Sequence, residues 1–230
     1  MRILVINPNS SVVMTGQIRK ALQRIKRPDT ELMVERVEQA PPAIESGRDV
    51  AQAVPGVLEW VQRAEGAGCQ AAIIACFSDP GLDAAREVGN LLVLGIQETS
   101  LHLAAMLGHR FTILTPRPHR VPAKEREVRR IGLEGALASV RPLGLSVTET
   151  EAQPERTKAR ILEVAKVAVE EDGAEVLVLG CAGMVGYAAE LERQLGVVVI
   201  DPTATTLKVC EGIVELGLRQ SKLALYRTPT

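Results

Sequence analysis

Aromatic residues are scarce in this chain of 230 residues, and neither sign of charge predominates. Five positions carry an aromatic ring, namely Trp60, Phe77, Phe111, Tyr187 and Tyr226. The chain therefore lacks the stacking platforms that proteins use to bind single-stranded nucleic acid. The formal net charge of −1 also gives no electrostatic attraction to nucleic acid. This composition argues against a nucleic-acid-binding role and predicts a core built from aliphatic side chains.

Long hydrophobic runs are missing as well. No run reaches the roughly 18 apolar residues that a transmembrane helix needs, and the apolar stretch at the N-terminus meets a turn at Asn7-Pro8 before it could serve as a signal sequence. We therefore expect a cytoplasmic protein that does not interact with membranes. Without a secretory context its cysteines are expected to be reduced thiols. They are too widely spaced for a metal site, and they stand at Cys69, Cys76, Cys181 and Cys210.

Short apolar runs alternate with helical patterns along the whole chain. The runs are 3–6, 71–76, 91–95, 111–115, 176–181 and 197–200. Near-continuous apolar strands in this rhythm are typical of parallel sheets that are covered on both faces. We therefore predict an α/β fold with two pseudo-symmetric domains, each a mostly parallel sheet with helices on both faces.

The division into two domains is predicted by an internal repeat. The run 71–76 ends in Cys76 and the run 176–181 ends in Cys181, an offset of 105 residues that also aligns Gly68 with Gly173 and Val93 with Val198. Two copies of one unit fit a chain of this length. We predict an N-terminal domain over 1–98 and a C-terminal domain over 99–205.

Local patterns predict further features. Residues 38–50 are predicted to form a loop, with a helix beginning near Pro55. Asp79 is expected to cap the helix that follows Cys76. The mixed charges of 124–131 indicate a surface-facing helix, and a further helix is predicted over 184–195.

The two matched cysteines are the strongest candidates for catalysis. Parallel sheets bind ligands at the carboxyl ends of their strands, where Asn9, Cys76, Thr115 and Cys181 all fall. If the domains are related by a pseudo-two-fold axis, the two thiols flank one ligand in the interdomain cleft. One thiolate then removes a proton from a carbon acid and the other thiol returns one to the opposite face, which inverts the stereocentre without a cofactor.

A structural role is the alternative for each cysteine, because cysteine is among the most buried residue types. Packing alone gives no reason for both copies of a repeat to end in cysteine, so the matched positions favour catalysis for Cys76 and Cys181. Cys69 has Ala174 at the 105-residue offset and Cys210 has no partner either, so both keep the structural interpretation.

Three segments resemble a known family. Residues 3–10 (ILVINPNS), 75–82 (ACFSDPGL, with AARE after it) and 179–184 (LGCAGM) resemble the hydantoin racemase branch of the aspartate/glutamate racemase superfamily. The resemblance runs through nearly the whole chain. It implies a cofactor-independent two-cysteine racemase with a C-terminal helix, 206–230, that packs back on the first domain. We expect the protein to form a homo-oligomer. We also expect it to bind a small-molecule substrate.

The resemblance also implies the ligand contacts, which are Asn9, Phe77, Ser78, Thr115, Ala182 and Gly183. Amino acid racemases of the superfamily place an Asn-Thr pair after each cysteine to hold a free carboxylate. Here Phe77-Ser78 and Ala182-Gly183 stand in those places, which indicates a 5-monosubstituted hydantoin, a ring without a carboxylate. Pro116 stands where relatives of this branch tend to have a second Thr or a similar residue.

Several alternatives stay open from sequence alone. Allantoin racemase comes next, since allantoin is itself a hydantoin with a ureido group at C5. An aspartate or glutamate racemase follows, and then a non-catalytic small-ligand-binding protein of the same fold. Decarboxylation of a malonate needs one protonating thiol, so the second cysteine argues against it, and nothing supports isomerisation of maleate.

Overall fold

The computed structural model describes residues 1–228, and in it the chain forms two compact units. The first unit comprises Met1–Ile96 together with the chain from Thr203 onward, and the second comprises Gln97–Pro202. The chain thus leaves the first unit once and returns to it at the end. Across residues 1–228, no helix is both long enough and apolar enough to span a lipid bilayer.

The first unit is built on a four-stranded parallel sheet with the strand order β2-β1-β3-β4. Its central strands are buried, as expected for a parallel sheet covered on both faces. Aliphatic side chains such as Leu4, Ile6, Val57 and Ile74 fill its core. Its elements are β1 Arg2–Asn7, α1 Val12–Ile25, β2 Glu31–Arg36, α2 Gly47–Gly66, β3 Ala71–Ile74, α3 Leu82–Val88 and β4 Leu92–Gly95.

The second unit is built on another four-stranded parallel sheet, with the order β6-β5-β7-β8. The predicted α/β fold with parallel sheets flanked by helices is confirmed. The elements of this unit are α4 Ile96–Leu107, β5 Phe111–Thr115, α5 Val121–Arg130, β6 Leu137–Pro142, α6 Val147–Ala152, α7 Pro154–Glu170, β7 Val176–Leu179, α8 Ala188–Leu195 and β8 Val198–Ile200, and α9 Pro202–Glu215 leads back to the first unit.

The sheet registers define the repeat more closely than the sequence does. Ala71 and Val176, 105 residues apart, occupy the same place in β3 and β7. In the last strands, Val93 pairs with Ala72 while Val199 pairs with Leu177, so the offset there is one residue larger. The alignment of Val93 with Val198 is therefore wrong by one residue, a slip that would turn each side chain to the opposite face of the sheet.

Helix α2 begins earlier than its proline suggests. Ser46 accepts a hydrogen bond from the Asp49 N–H and the Asp49 carboxylate accepts one from the Ser46 N–H, which forms a capping box at the helix start. Pro55 lies inside the helix on its exposed side. The prediction of a loop through Val50 is wrong for residues 47–50, because the cap outweighs the cost of a proline that faces solvent.

One charged side chain of helix α5 is buried, although the sequence predicts a surface-facing helix. Lys124 is 4% exposed and donates a hydrogen bond from Nζ to Gln97 Oε1 at 2.8 Å. Val128, one turn further on, is fully buried. Burial of the whole Lys124 side chain, with its ammonium group hydrogen-bonded to Gln97, corrects the prediction of a purely surface-facing helix.

The last helix returns the chain to the first unit, and a buried carboxylate anchors it there. Glu211 accepts hydrogen bonds from the Arg27 N–H at 2.8 Å and from the Thr30 hydroxyl at 2.7 Å. Desolvation opposes the charge of Glu211, but hydrogen bonds from Lys208, Arg27 and Thr30 outweigh it and lower the pKa of this carboxyl group. These contacts fix α9 to the loop between α1 and β2.

Helix α9 is shorter than the predicted helix over 206–230. It ends at Glu215, where Gly217 takes a left-handed conformation with φ of 69°. The Gly217 N–H bonds to the Val214 carbonyl and the Leu218 N–H bonds to the Ile213 carbonyl, which is the Schellman arrangement that stops a helix. Residues 216–228 continue as turns and irregular chain, and Pro229 and Thr230 lie outside the described residues.

An ion pair ties the edge strand β6 to the end of α7. Asp172 accepts two hydrogen bonds from the Arg141 guanidinium, from Nε at 2.7 Å and from Nη2 at 2.5 Å, and a third from the Ser139 hydroxyl at 2.5 Å. Hydrogen bonding to Arg141 lowers the pKa of Asp172, and burial opposes this shift only in part. A carboxyl group whose pKa is lower in the folded state stabilises the fold above its unfolded pKa and loses that contribution as the pH falls.

Replacing Asp172 by Asn is therefore expected to lower the free energy of unfolding at pH 7 by about 1–3 kcal/mol. The difference from wild type should shrink as the pH falls below about 4, because the unfolded carboxyl group takes up a proton there while the lowered pKa keeps the folded group charged. Urea denaturation at several pH values measures this. Glu171→Gln is the matched control, because the Glu171 side chain is 66% exposed, and a difference between Asp172→Asn and wild type that does not depend on pH would contradict the assignment.

Candidate active site

The first candidate thiol follows strand β3. Ala71–Ile74 are buried, and the Ala75 N–H continues the ladder to the Ile6 carbonyl at 2.8 Å. Cys76 comes next and is partly exposed. The Asp79 N–H then bonds to the Cys76 carbonyl at 3.0 Å, which closes a tight turn. Cys76, Phe77 and Ser78 thus form the turn at the carboxyl end of β3, as the sequence predicts.

The residue at the N-cap position of helix α3, after this turn, is not the predicted one. Asp79 has φ of 40°, the one positive φ outside glycine in residues 1–228. Gly81, with φ of 72°, takes the cap position before α3, and no side chain caps that helix. The prediction of Asp79 as a cap is wrong, because its left-handed backbone directs the chain out of the strand. Helix α3 begins only at Leu82, so the amides of Phe77 and Ser78 belong to the turn and not to the helix.

The Asp79 carboxylate instead lies against Gly95, the last residue of β4. A Cβ atom added at Gly95 would stand 2.2 Å from Asp79 Cγ and 2.4 Å from Oδ2. The turn that carries Cys76 therefore closes over the end of the neighbouring strand, and only a residue without a side chain fits beneath it. Sequence reasoning missed this pair, although the positions of Gly95 at a strand end and Asp79 beside Pro80 were visible.

The second candidate thiol follows strand β7. Cys181 is 8% exposed and opens a single 3₁₀ turn, Ala182–Met184. The Gly183 N–H donates to Cys181 Sγ at 3.4 Å, and a donor on the sulfur stabilises negative charge there. The helix predicted from Met184 begins only at Ala188, so this amide comes from the 3₁₀ turn.

Gly180 brings the Cys181 backbone close to the neighbouring strand. Its N–H bonds to the Leu114 carbonyl at 2.8 Å, and an added Cβ would lie 2.5 Å from that same oxygen. The obstacle is backbone, which cannot rotate away. A glycine is therefore required where β7 passes into the Cys181 turn.

A buried network of amides and hydroxyls surrounds Asn9 after strand β1. Asn9 Oδ1 accepts hydrogen bonds from Asn7 Nδ2 at 2.8 Å and from the Ser11 N–H at 2.9 Å. Asn7 Nδ2 also donates to Thr15 Oγ1 at 3.0 Å. Within residues 1–228, the hydrogen-bond partner of Asn9 Nδ2 is the Met14 sulfur, at 3.3 Å, which is a weak acceptor. The amide nitrogen of Asn9 thus keeps donor capacity for a ligand, and Asn7, which sequence reasoning missed, holds it in place.

Thr115 is the candidate ligand contact at the end of strand β5 in the second unit. It ends β5 and is 1% exposed, and the Leu143 N–H bonds to its carbonyl at 2.8 Å. Ile6 pairs with Ile74 and Leu114 pairs with Leu179, so the register makes Thr115 the counterpart of Asn7 rather than of Asn9.

Each cysteine stands at the switch point of its own sheet. In the first unit the chain runs from β1 outward to β2 and from β3 outward to β4 in the opposite direction, and in the second it does the same from β5 and β7. Ligands of open parallel sheets bind at such points. The first unit places Asn9 and Cys76–Ser78 at its switch point, and the second unit places Thr115 and Cys181–Gly183 at its own.

The remaining cysteines differ from these two in environment. Burial raises the pKa of the Cys69 thiol, and burial together with the Glu211 carboxylate raises that of Cys210 to about 12. Both side chains are buried, so they stay protonated and pack as small apolar groups. This supports the structural interpretation of Cys69 and Cys210.

Comparisons with known proteins agree with the fold and the motifs. The model of the Asp/Glu/Hydantoin racemase family matches residues 3–210. A hydantoin racemase of Pseudomonas sp. (strain NS671) is 41% identical over 229 residues, covering 100% of this chain and 92% of the relative, and one of Paenarthrobacter aurescens is 39% identical, covering 100% and 98%. The solved structure of allantoin racemase from Klebsiella pneumoniae has a TM-score of 0.96 at 35% identity, covering 100% of this chain and 94% of that one. The chain belongs to the Asp/Glu/Hydantoin racemase family.

Proposed function

We propose that this chain racemises 5-monosubstituted hydantoins without a cofactor, with Cys76 and Cys181 as the two acid/base thiols. The observation that carries the proposal is the matched position of the two cysteines, each at the carboxyl end of a central strand in a sheet of the same order. In this proposal one thiol acts on each face of C5 of the ring.

The proposed reaction is a pair of proton transfers. A thiolate on one face removes the C5 proton, and the electron pair of the C–H bond moves onto the adjacent ring carbonyl as an enolate. The thiol on the other face then protonates C5 and becomes the thiolate. The stereocentre is inverted, the protonation states of the two sulfurs are exchanged, and the next substrate of opposite hand reacts in reverse.

A backbone hydrogen bond supports the role of Cys181. The Gly183 N–H on Cys181 Sγ stabilises the thiolate form of that residue. We further propose that Asn9, through its amide nitrogen, and Phe77, Ser78, Thr115, Ala182 and Gly183 contact the ring. Donors placed on a carbonyl oxygen where negative charge develops lower the barrier to proton removal.

The residues after the cysteines favour a hydantoin over a free amino acid. Phe77-Ser78 and Ala182-Gly183 offer backbone amides, and a small residue at three of the four positions, rather than paired Asn and Thr side chains for a carboxylate. The curated relatives named hydantoin racemase, at 39% and 41% identity, support the same choice.

Allantoin is the second candidate substrate, and a specific observation favours it. The structure of an allantoin racemase matches the whole chain with a TM-score of 0.96. Allantoin is a hydantoin with a ureido group at C5, so both candidates use the same chemistry and differ only in the pocket for the C5 substituent.

The test is to incubate single enantiomers of a 5-alkylhydantoin, of allantoin and of glutamate with the protein and to follow each by chiral chromatography. A blank without protein corrects for spontaneous exchange at C5. We expect the 5-alkylhydantoin to reach the racemate fastest. Faster decay of allantoin would select the second candidate, and binding of a hydantoin with no decay above the blank would instead indicate a non-catalytic binding protein.

We also propose that the protein is a cytoplasmic homo-oligomer. The buried thiols of Cys69 and Cys210 support a reducing compartment. Exposed leucines in the C-terminal segment, residues 216–228, support self-association, since apolar side chains on a surface can mark contact sites. These are Leu216, Leu218, Leu223 and Leu225, which lie close together in the sequence. Light scattering on the eluting protein measures the mass, and a monomer at micromolar concentration would contradict the proposal.

A further inference from the structure

The C-terminal segment, residues 216–228, hydrogen-bonds to the edge of the first sheet through one side chain. Strand β4 is an edge strand, so one side of its backbone has no neighbouring strand. Gln220 takes that place: its Oε1 accepts from the Val93 N–H at 3.0 Å and its Nε2 donates to the Val93 carbonyl at 2.8 Å. The amide of one glutamine thus pairs with β4 as a strand would.

Lys222 binds the end of helix α3 in the same region. Its Nζ donates to the carbonyl oxygens of Arg86, of Gly89 at 2.5 Å and of Glu87 at 3.4 Å. The last carbonyls of a helix lack intrahelical partners and carry partial negative charge, so an ammonium group there satisfies both. The Lys222 side chain thereby caps the C-terminal end of α3.

Tyr226 completes the contact. Its hydroxyl accepts from Arg86 Nη1 at 3.1 Å and donates to Asp83 Oδ1 at 3.4 Å, and its ring stacks against the Arg86 guanidinium with 5.3 Å between Cζ and the ring centre. Arg86 also donates from Nε to the Val93 carbonyl at 3.2 Å. We call the set Gln220, Lys222 and Tyr226 the C-terminal clasp, since it joins α3 to β4.

Helix α3 depends on such contacts because it has only seven residues, and a helix of this length is not stable by itself. The turn that carries Cys76 is attached at one end to β3 and at the other to α3. The Asp79 carboxylate of the same turn lies against Gly95 at the end of β4. Any shift of α3 relative to β4 therefore moves the turn.

We propose that Lys222 is a positioning residue for the Cys76 turn, acting through the end of α3 and supported by Gln220 and Tyr226. The consequence for catalysis rests on the proposed role of Cys76 as an acid/base thiol. The effect is confined to one of the two sulfurs, since all these contacts lie within the first unit. A misplacement of about 1 Å caused far from the reacting atoms can cost about 10²-fold in rate.

The test compares Lys222→Met, Lys222→Arg and Lys20→Met in the full-length protein. Lys20 is an exposed lysine of the same unit and serves as the matched control. Alkylation of Cys76 and Cys181 by iodoacetamide is followed separately by peptide mass spectrometry over pH 6–9. We expect Lys222→Met to change the Cys76 rate by about threefold or more with Cys181 unchanged, Lys222→Arg to restore it, and Lys20→Met to match wild type.

The kinetic constants give a second measurement. We expect Lys222→Met to lower kcat about tenfold with little change in KM. Tyr226→Phe, which removes only a hydroxyl, should change Cys76 alkylation in the same direction and provides the test if Lys222→Met does not fold. Equal changes at both cysteines, or an unchanged Cys76 profile, would overturn the proposal. A selective change at Cys76 with unaltered turnover would support the positioning role and instead refute catalysis by Cys76.

Discussion

Serine at position 76 or 181 is expected to lower racemisation by about 10²–10⁴-fold, the usual contribution of a positioned acid or base. A hydroxyl group is too weak an acid and base at neutral pH to replace a thiol. Each single variant still keeps one thiol, which can remove the C5 proton from one enantiomer and return a solvent proton to the same face. Exchange with retention should therefore survive for one enantiomer in each variant, and for opposite enantiomers in the two variants.

Proton NMR in deuterated water measures this directly, because the C5 proton signal disappears on exchange whether or not the centre is inverted. Chiral chromatography of the same samples measures inversion. Cys69→Ser is the control, since Cys69 is buried and has no counterpart in the second unit, and it should racemise like wild type. Equal exchange of both enantiomers by one single variant would contradict the proposed assignment of one thiol to each face of C5.

Alanine at position 95 is expected to lower kcat by about 10–10²-fold, because the Asp79 side chain, and with it the Cys76 turn that carries it, must shift to admit the methyl group. The added Cβ would stand 2.2–2.5 Å from the carboxyl atoms of Asp79, well inside contact distance. Asp79 is held by its left-handed backbone and by the hydrogen bond to the Cys76 carbonyl. Gly66→Ala is the matched control, since no atom lies within 4 Å of a Cβ at that position.

A double-mutant cycle shows whether the effect comes from this contact. Asp79→Gly removes the carboxylate and tolerates a positive φ. If the clash is the cause, Gly95→Ala should cost little further activity in the Asp79→Gly background, because residues in contact are not additive. Equal costs of Gly95→Ala in both backgrounds would show that the contact does not position the turn.

The sequence predicts the sheets and the cysteine positions because both depend on local patterns. Apolar runs such as 71–76 report burial directly, and the repeat places Cys181 in the second copy of the same strand end. The family motifs around Asn9 and Cys76 follow from the same short segments. None of these predictions requires knowledge of which strands are neighbours.

The features that were missed depend on contacts between distant segments. The Asp79 carboxylate meets Gly95 only because β4 lies beside β3, and Lys124 is buried only because α5 lies near the start of α4, where Gln97 receives its hydrogen bond. The one-residue difference in offset at Val199 likewise follows from the register of β7 with β8. Periodicity in one segment contains no information about such pairings.

The return of α9 to the first unit determines the order in which the protein can be completed during synthesis. Glu211 bonds to Arg27 across 184 residues of chain, and every residue of the second unit is translated between them. The second unit is continuous, so all of its residues leave the ribosome before α9 does. The N-terminal sheet is synthesised first, but it gains its last helix only after the whole second unit has been translated. Until α9 docks, the Thr30 hydroxyl lacks the Glu211 carboxylate to which it donates in the folded protein.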